Sequence, residues 1–353
     1  MTVGGGSSSL KARYEVTPLE GLKRRFGKDF DIVYERGYVG DTLGEYNGVK
    51  TNQDLRDFRT VEQLTSDAVK AAKEADIVLY FGGLNKSDHQ DAEDSDRLSM
   101  VLPYGQDELI EAICKANKNT VVVNISGTGV AMPWADKVQA ILQAWYLGNE
   151  TGNAIADVLS GDVNPSGKLP YTYYADLMQC GAHKLGEYPG TPAKDKFGND
   201  IFDIPYNEGI YVGYRFIDKN NLKPTFPFGH GLSYTTFKYG KATVDKTEGV
   251  KGDSFTVSVP VTNTGNREGK ETVELFISDL KSSVDRPVKE LKGFSKVSLA
   301  PGETKTVTFS VNESDLSFFD ADKHEWVCEP GDFEALIGAS SADIRSKVKF
   351  SVR

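Results

Sequence analysis

The chain has 353 residues, 39% hydrophobic and 26% charged, a globular balance with length for about two domains at ~100–200 residues each. Forty-one Lys and Arg against 51 Asp and Glu give a net charge of −10, which argues against nucleic acid or anionic membrane as main partner, since both demand a basic face. From Phe237 onward 17 basic residues stand against 19 acidic ones, so most of the excess acid lies ahead of that point. Cys114, Cys180 and Cys328 are too few and too scattered for a disulfide framework or a zinc site.

The chain opens with MTVGGGSSSL, which has no apolar signal core. Residues 4–9 (GGGSSS) read either as a flexible linker or as a native loop. They lack the lysine and spacing of a phosphate-binding GxxxxGK[ST] loop. Four short, near-continuous apolar runs follow, at 30–34 (FDIVY), 76–81 (DIVLYF), 120–125 (TVVVNI) and 139–145 (QAILQAW). Such runs read as strands buried on both faces. Between them lie helical stretches at 61–74, 106–117 and 152–159. In the last two, Leu109, Ile113 and Ala116, and then Ile155, Val158 and Leu159, recur at helical spacing. Strands alternating with helices predict an α/β domain with a mostly parallel sheet.

Residues 161–231 are punctuated by glycine, proline and aromatics. A short strand is predicted at 168–173, then a long extended excursion ending in PTFPFGHGLSYTTF. Beyond Tyr239 the helical period vanishes. Phe255, Val257, Val259 and Val261 alternate with polar residues, as do Val273, Leu275 and Ile277, with similar runs at 305–311 and 332–338. About seven short strands predict an immunoglobulin-like β-sandwich.

The densest cluster of ionisable groups, residues 86–97 (KSDHQDAEDSDR), directly follows the run DIVLYF and two glycines. Loops at the carboxyl ends of strands in open α/β sheets are where ligands bind. Three readings compete: a solvated acidic loop, a calcium loop and a carboxylic acid used for proton transfer. The calcium reading is weakened by Arg97 standing where a central glycine belongs. The third reading requires a carboxyl whose pKa is raised, here by crowding of like charges and by burial. Spacing alone does not choose among Asp91, Glu93 and Asp94.

A resemblance does choose. Glu93-Asp94-Ser95-Asp96-Arg97 followed by Leu102-Pro103-Tyr104-Gly105-Gln106 resembles the Glu-Gly-x-Asp-Arg and Leu-Pro-x-x-Gln motifs in the second domain of family 3 glycoside hydrolases, the β-glucosidase and β-xylosidase family. Asp94 stands where the motif has glycine. NISGTGVAMP at 124–133, GDVNPSGKLP at 161–170, GIYVGYR at 209–215 and FGHGLSY at 228–234 extend the resemblance. RPVKELKGF at 286–294 and the closing GDFEALIGASSADIR carry it into a fibronectin type III-like tail.

The resemblance implies a family 3 C-terminal α/β sandwich domain over 1–236, with an extended loop over 174–236, and a fibronectin type III-like β-sandwich over 237–353. It places the family's acid/base on Glu93; His89 reads either as a contact to a sugar hydroxyl or as an ordinary surface histidine. The family's nucleophile is an aspartate on a preceding (β/α)8 barrel, which these residues do not include. The strand that opens the second domain is likewise expected ahead of VGGGSS. The expected function is therefore the acid/base-bearing half of a retaining exo-β-glycosidase, foremost a β-glucosidase releasing terminal non-reducing β-linked glucose from glucosides and oligosaccharides. The barrel would come from the full-length protein or a partner chain, and the isolated chain would be inactive. Alternatives are a β-xylosidase of the same family and a non-catalytic, glycan-binding accessory protein. No cofactor or metal is expected. The resemblance implies a periplasmic or secreted location for many full-length members.

Trp145 and Tyr146 read as core residues, or as aromatics flanking a sugar. Glu150 reads as a helix-start carboxylate. His183, His230 and His324 show no metal-ligand spacing.

Overall fold

The computed structural model describes residues 5–8, 12–40, 45–46, 49–50, 56–87, 89–93 and 96–353. The chain divides into two compact units, Met1–Val163 and Asn164–Arg353.

In the first unit, helix α1 (Pro18–Phe26) is capped by the Thr17 hydroxyl. Helix α2 (Val61–Glu74) starts at a capping box, in which Gln63 N–H donates to Thr60 Oγ1 and Gln63 Oε1 accepts from Thr60 N–H. Strand β1 (Val78–Gly83), helix α3 (Gln106–Ala116), strand β2 (Thr120–Ile125), strand β3 (Ala140–Gln143) and helix α4 (Thr151–Ser160) complete the unit. The three strands form a parallel sheet in the order β1-β2-β3. Central β2 is the apolar run the sequence marks as doubly covered: Val122 and Val123 are buried, and Val123 and Ile125 pack with Ala144 and Ile155. All three strands end on one edge, and that edge holds the acidic loop.

Gln106 fixes where β1 stops. Its fully buried amide donates to Gly83 O at 2.8 Å and accepts from Gly83 N–H at 2.8 Å, on the side of β1 that among the described residues faces no strand. Leu102-Pro103-Tyr104-Gly105 turns the chain into α3 through two residues of positive φ, Tyr104 and Gly105.

The second unit is built on a β-sandwich. Strands β4 (Phe255–Asn263), β5 (Gly269–Asp279), β6 (Glu290–Leu299), β7 (Thr304–Val311), β8 (Gly331–Ser340) and β9 (Asp343–Val352) carry its two sheets. One runs β9-β8-β5-β6, with Glu248–Gly249 at its edge, and in the other β4 lies between β7 and Phe237–Tyr239 and pairs with both. The alternating residues Phe255, Val257, Val259 and Val261 face inward and are fully buried, meeting Leu275, Phe333 and Ile337 of the opposing sheet. Residues 164–236 belong to this unit. Lys168 Nζ donates to Ala339 O at 3.0 Å, and Tyr214 lies edge-on to Phe276.

Two predicted strands are absent. Residues 30–34 are irregular, with Phe30, Val33 and Tyr34 exposed. An apolar run becomes a strand only with a ladder partner, and among the described residues this one has none. Residues 168–173 likewise form only an isolated bridge, between Tyr173 and Phe226.

Gln106→Leu keeps the volume and strands both Gly83 backbone groups. It should destabilise the first unit by about 2–4 kcal/mol, read as a lowered urea midpoint. A change below about 0.5 kcal/mol would mean those groups find other partners.

Candidate active site

The loop that leaves β1 is tied to the sheet edge residue by residue. Leu84 N–H donates to Ile125 O at 2.9 Å, and Asp91 N–H returns to Asn85 O at 2.9 Å. Gln90 braces the bend: its Oε1 accepts from Asn85 N–H at 2.9 Å, and its Nε2 donates to the Tyr104 hydroxyl at 2.6 Å.

Asp91 then joins the loops that follow all three strands. Its Oδ2 accepts from Gly127 N–H at 2.7 Å and from the Tyr146 hydroxyl at 2.5 Å. Its Oδ1 accepts from Thr128 Oγ1 at 2.6 Å. Burial and the Asp91 carboxylate both push the Tyr146 phenol pKa upward, so Tyr146 stays a donor. The turn after β2 has its own support. Asn124 Nδ2 donates to Ser126 Oγ at 2.9 Å and to Gln143 Oε1 at 2.6 Å, and Gln143 Nε2 donates to Ser126 O at 2.9 Å. On the far side of the loop, Arg97 Nη1 donates to Thr128 Oγ1 at 3.0 Å and to Gly129 O at 2.6 Å.

Glu93 lies between these two grips and is exposed. Its Oε2 accepts from Ser7 N–H at 2.5 Å, and the neighbouring Gly5 N–H donates to Asp91 O at 2.8 Å. Residues 5–7 thus pack on residues 91–93. Gly6 is required at φ +80°, where a Cβ would come within 2.1 Å of Glu93 Cβ.

The Ser7 hydroxyl and amide stabilise the ionised carboxyl and hold Glu93 below the usual glutamate range. This corrects the expectation of a raised pKa: Glu93 is not buried here, and it faces donors. Asp88, Asp94 and Ser95 lie outside the described residues. His89, exposed and at φ 60°, donates from Nδ1 to Asp96 O at 2.9 Å, spanning the Glu93 turn.

Glu150 stands at the N-cap of α4, but its side chain does not cap the helix. It accepts from the Tyr14 hydroxyl at 2.6 Å and Asn153 Nδ2 at 2.5 Å. Sequence reasoning missed Ser7 and Thr128 as parts of the site, and it offered Tyr146 as core or sugar-flanking but missed its bond to Asp91. Tyr146 shows only as an aromatic after a strand, and Ser7 is separated from Glu93 by 86 residues.

Because the folded pKa of Glu93 lies below its unfolded value, its contribution to stability is present above the ordinary glutamate value and is lost as pH falls through the depressed one. A carboxyl-detected NMR titration should place Glu93 below ordinary glutamates. Ser7→Ala, which removes the hydroxyl, should move the midpoint back up. An unmoved midpoint would show that the hydroxyl does not set it.

Comparison with known proteins agrees with this architecture. Residues 1–234 match the glycosyl hydrolase family 3 C-terminal domain, and residues 271–341 match the fibronectin type III-like domain. The chain is 46% identical over 352 residues to the beta-glucosidase BoGH3A of Bacteroides ovatus, covering 99% of this chain and 45% of that protein. It is 40% identical to the thermostable beta-glucosidase B of Acetivibrio thermocellus, covering 99% and 42%. The crystal structure of a Bifidobacterium adolescentis family 3 beta-glucosidase superposes with a TM-score of 0.83 at 32% identity, covering 98% of this chain and 47% of that one. The chain thus spans less than half the length of these relatives, and it belongs to glycosyl hydrolase family 3, whose C-terminal domain and fibronectin type III-like domain it carries.

Proposed function

We propose that this chain carries the general acid/base of a retaining, exo-acting β-glucosidase, and that Glu93 is that residue. The observation that carries the reading is an exposed Glu93 carboxylate on a loop fastened at both sides to the C-terminal edge of the parallel sheet. The names of the relatives favour glucosides over xylosides.

Retaining glycosidases need two carboxyls about 5–5.5 Å apart. The second is assigned to an aspartate on the (β/α)8 barrel that the family resemblance implies, joined to these residues in the full-length protein or a partner chain. By itself Glu93 has a lowered pKa, so near neutral pH it is ionised and carries no proton to donate. A negative aspartate brought that close disfavours its ionised form and raises its pKa, which suits protonation of the glycosidic oxygen as the aspartate attacks the anomeric carbon. The glycosyl-aspartate ester then carries no charge, the pKa of Glu93 falls, and Glu93 accepts the proton of the attacking water. His89, on the same loop, is the proposed contact to a sugar hydroxyl.

Residues 1–353 alone should not turn over aryl β-glucosides. Robust turnover by a pure sample, abolished in Glu93→Ala, would defeat the divided site.

In the full-length enzyme, Glu93→Ala should slow cellobiose hydrolysis by about 10²–10⁴-fold while sparing the first step with dinitrophenyl glucoside, whose leaving group needs no proton. Covalent intermediate should accumulate, and azide should release it as β-glucosyl azide. Loss that is independent of the leaving group would remove Glu93 from this role.

A further inference from the structure

We infer that Asp91 is the positioning residue for Glu93, setting the place of its carboxyl from both the main-chain and the side-chain end; the inference rests on the acid/base reading of Glu93. At the main-chain end, the Asp91 carboxylate takes three donors from two other loops: Gly127 N–H at 2.7 Å, Thr128 Oγ1 at 2.6 Å and Tyr146 Oη at 2.5 Å. Only Ala92 separates it from Glu93, so the backbone that carries Glu93 is fixed relative to β2 and β3. At the side-chain end, the Asp91 carbonyl accepts Gly5 N–H at 2.8 Å. That bond seats the same turn whose Ser7 N–H reaches Glu93 Oε2 at 2.5 Å. One residue thus touches both supports of the proposed acid/base.

The second grip sharpens the point. Arg97 Nη1 holds Thr128 Oγ1 and Gly129 O, and Thr128 Oγ1 in turn donates to Asp91. The loop is therefore pinned to one turn at two places, with Glu93 between them.

Only an ionised carboxylate accepts all three donors. Asparagine would turn an amide N–H₂ towards at least one of them, and glutamate would keep the charge but push the loop out by about one methylene. The pair of substitutions separates place from charge. A role through the local field predicts that Asp91→Glu works nearly as well as the parent. A role through position predicts that it fails with Asp91→Asn, because displacing a catalytic group by about 1 Å costs on the order of 10²-fold.

The test is made in the full-length enzyme on a series of aryl glucosides of graded leaving-group pKa, together with cellobiose. Asp91→Asn and Asp91→Glu should each lower kcat on cellobiose by about 10²-fold, leave glycosylation by dinitrophenyl glucoside nearly unchanged, and gain turnover with azide. Tyr146→Phe and Thr128→Val, which each remove one donor and keep the charge, should show the same leaving-group dependence in weaker form and cover the case in which Asp91 variants do not fold. Equal loss across all leaving groups would overturn the inference, as would a fully active Asp91→Glu. A leaving-group-dependent Glu93→Ala beside independent Asp91 variants would overturn the positioning role alone. A Glu93→Ala without that dependence would overturn the acid/base reading and this inference with it.

Discussion

Three parallel strands that stop together leave backbone groups at their C-terminal edge with no ladder to join. Each must be satisfied before the loops beyond can hold one shape. The chain meets this constraint with side-chain amides and one carboxylate. Gln106 closes β1 by copying the pairing of a missing strand on Gly83. Asn124 and Gln143 hold each other and Ser126 at the ends of β2 and β3. Asp91 then draws the three loops together. The site is placed by polar groups at the sheet edge, while the apolar residues of β2 and α4 supply the platform beneath.

The same bonds divide the carboxyls of one short loop into different tasks. Asp91 spends its two oxygens on three donors and is a structural acceptor. Glu93 is two residues away and exposed, with the Ser7 amide donating to its carboxylate. Ionisation is easy for Glu93 in this environment, and in the role proposed for it a second charge brought near would have to keep it protonated. An acid/base whose pKa follows the charge of its partner carboxylate changes role when that partner is esterified, with no movement of the loop required.

Most of the fold was legible in the sequence. Helix α2 has the predicted bounds, β2 matches TVVVNI, and β4 shows the alternation of a half-buried strand, because burial imposes periods of 3.6 and 2 on residue choice. The failures differ in cause: 30–34 has no ladder partner among the described residues, whereas 168–173 does bond to 226–230, at Leu169 and Tyr173, but too sparsely to build a continuous ladder. The site was legible in part. Its loop and Glu93 were reached through motif resemblance. The bonds from Ser7, Gly127, Thr128 and Tyr146 were not, since they join residues 36–86 positions apart and leave no local period.

Those long-range bonds also give physical meaning to motif positions that look merely polar or small. Gly6 is forced by the approach of Glu93 Cβ, not by a need for flexibility. At Gly127 a Cβ would come to 3.1 Å from the Tyr146 ring, so any larger residue has to displace the ring whose hydroxyl serves Asp91. Gln106 is needed for its paired donor and acceptor, which neither glutamate nor leucine supplies together. Each of these residues acts at a distance from the sugar chemistry proposed for the loop. If Glu93 has the role proposed for it, these residues matter because a catalytic carboxyl functions only where its surroundings hold it to within a fraction of an ångström.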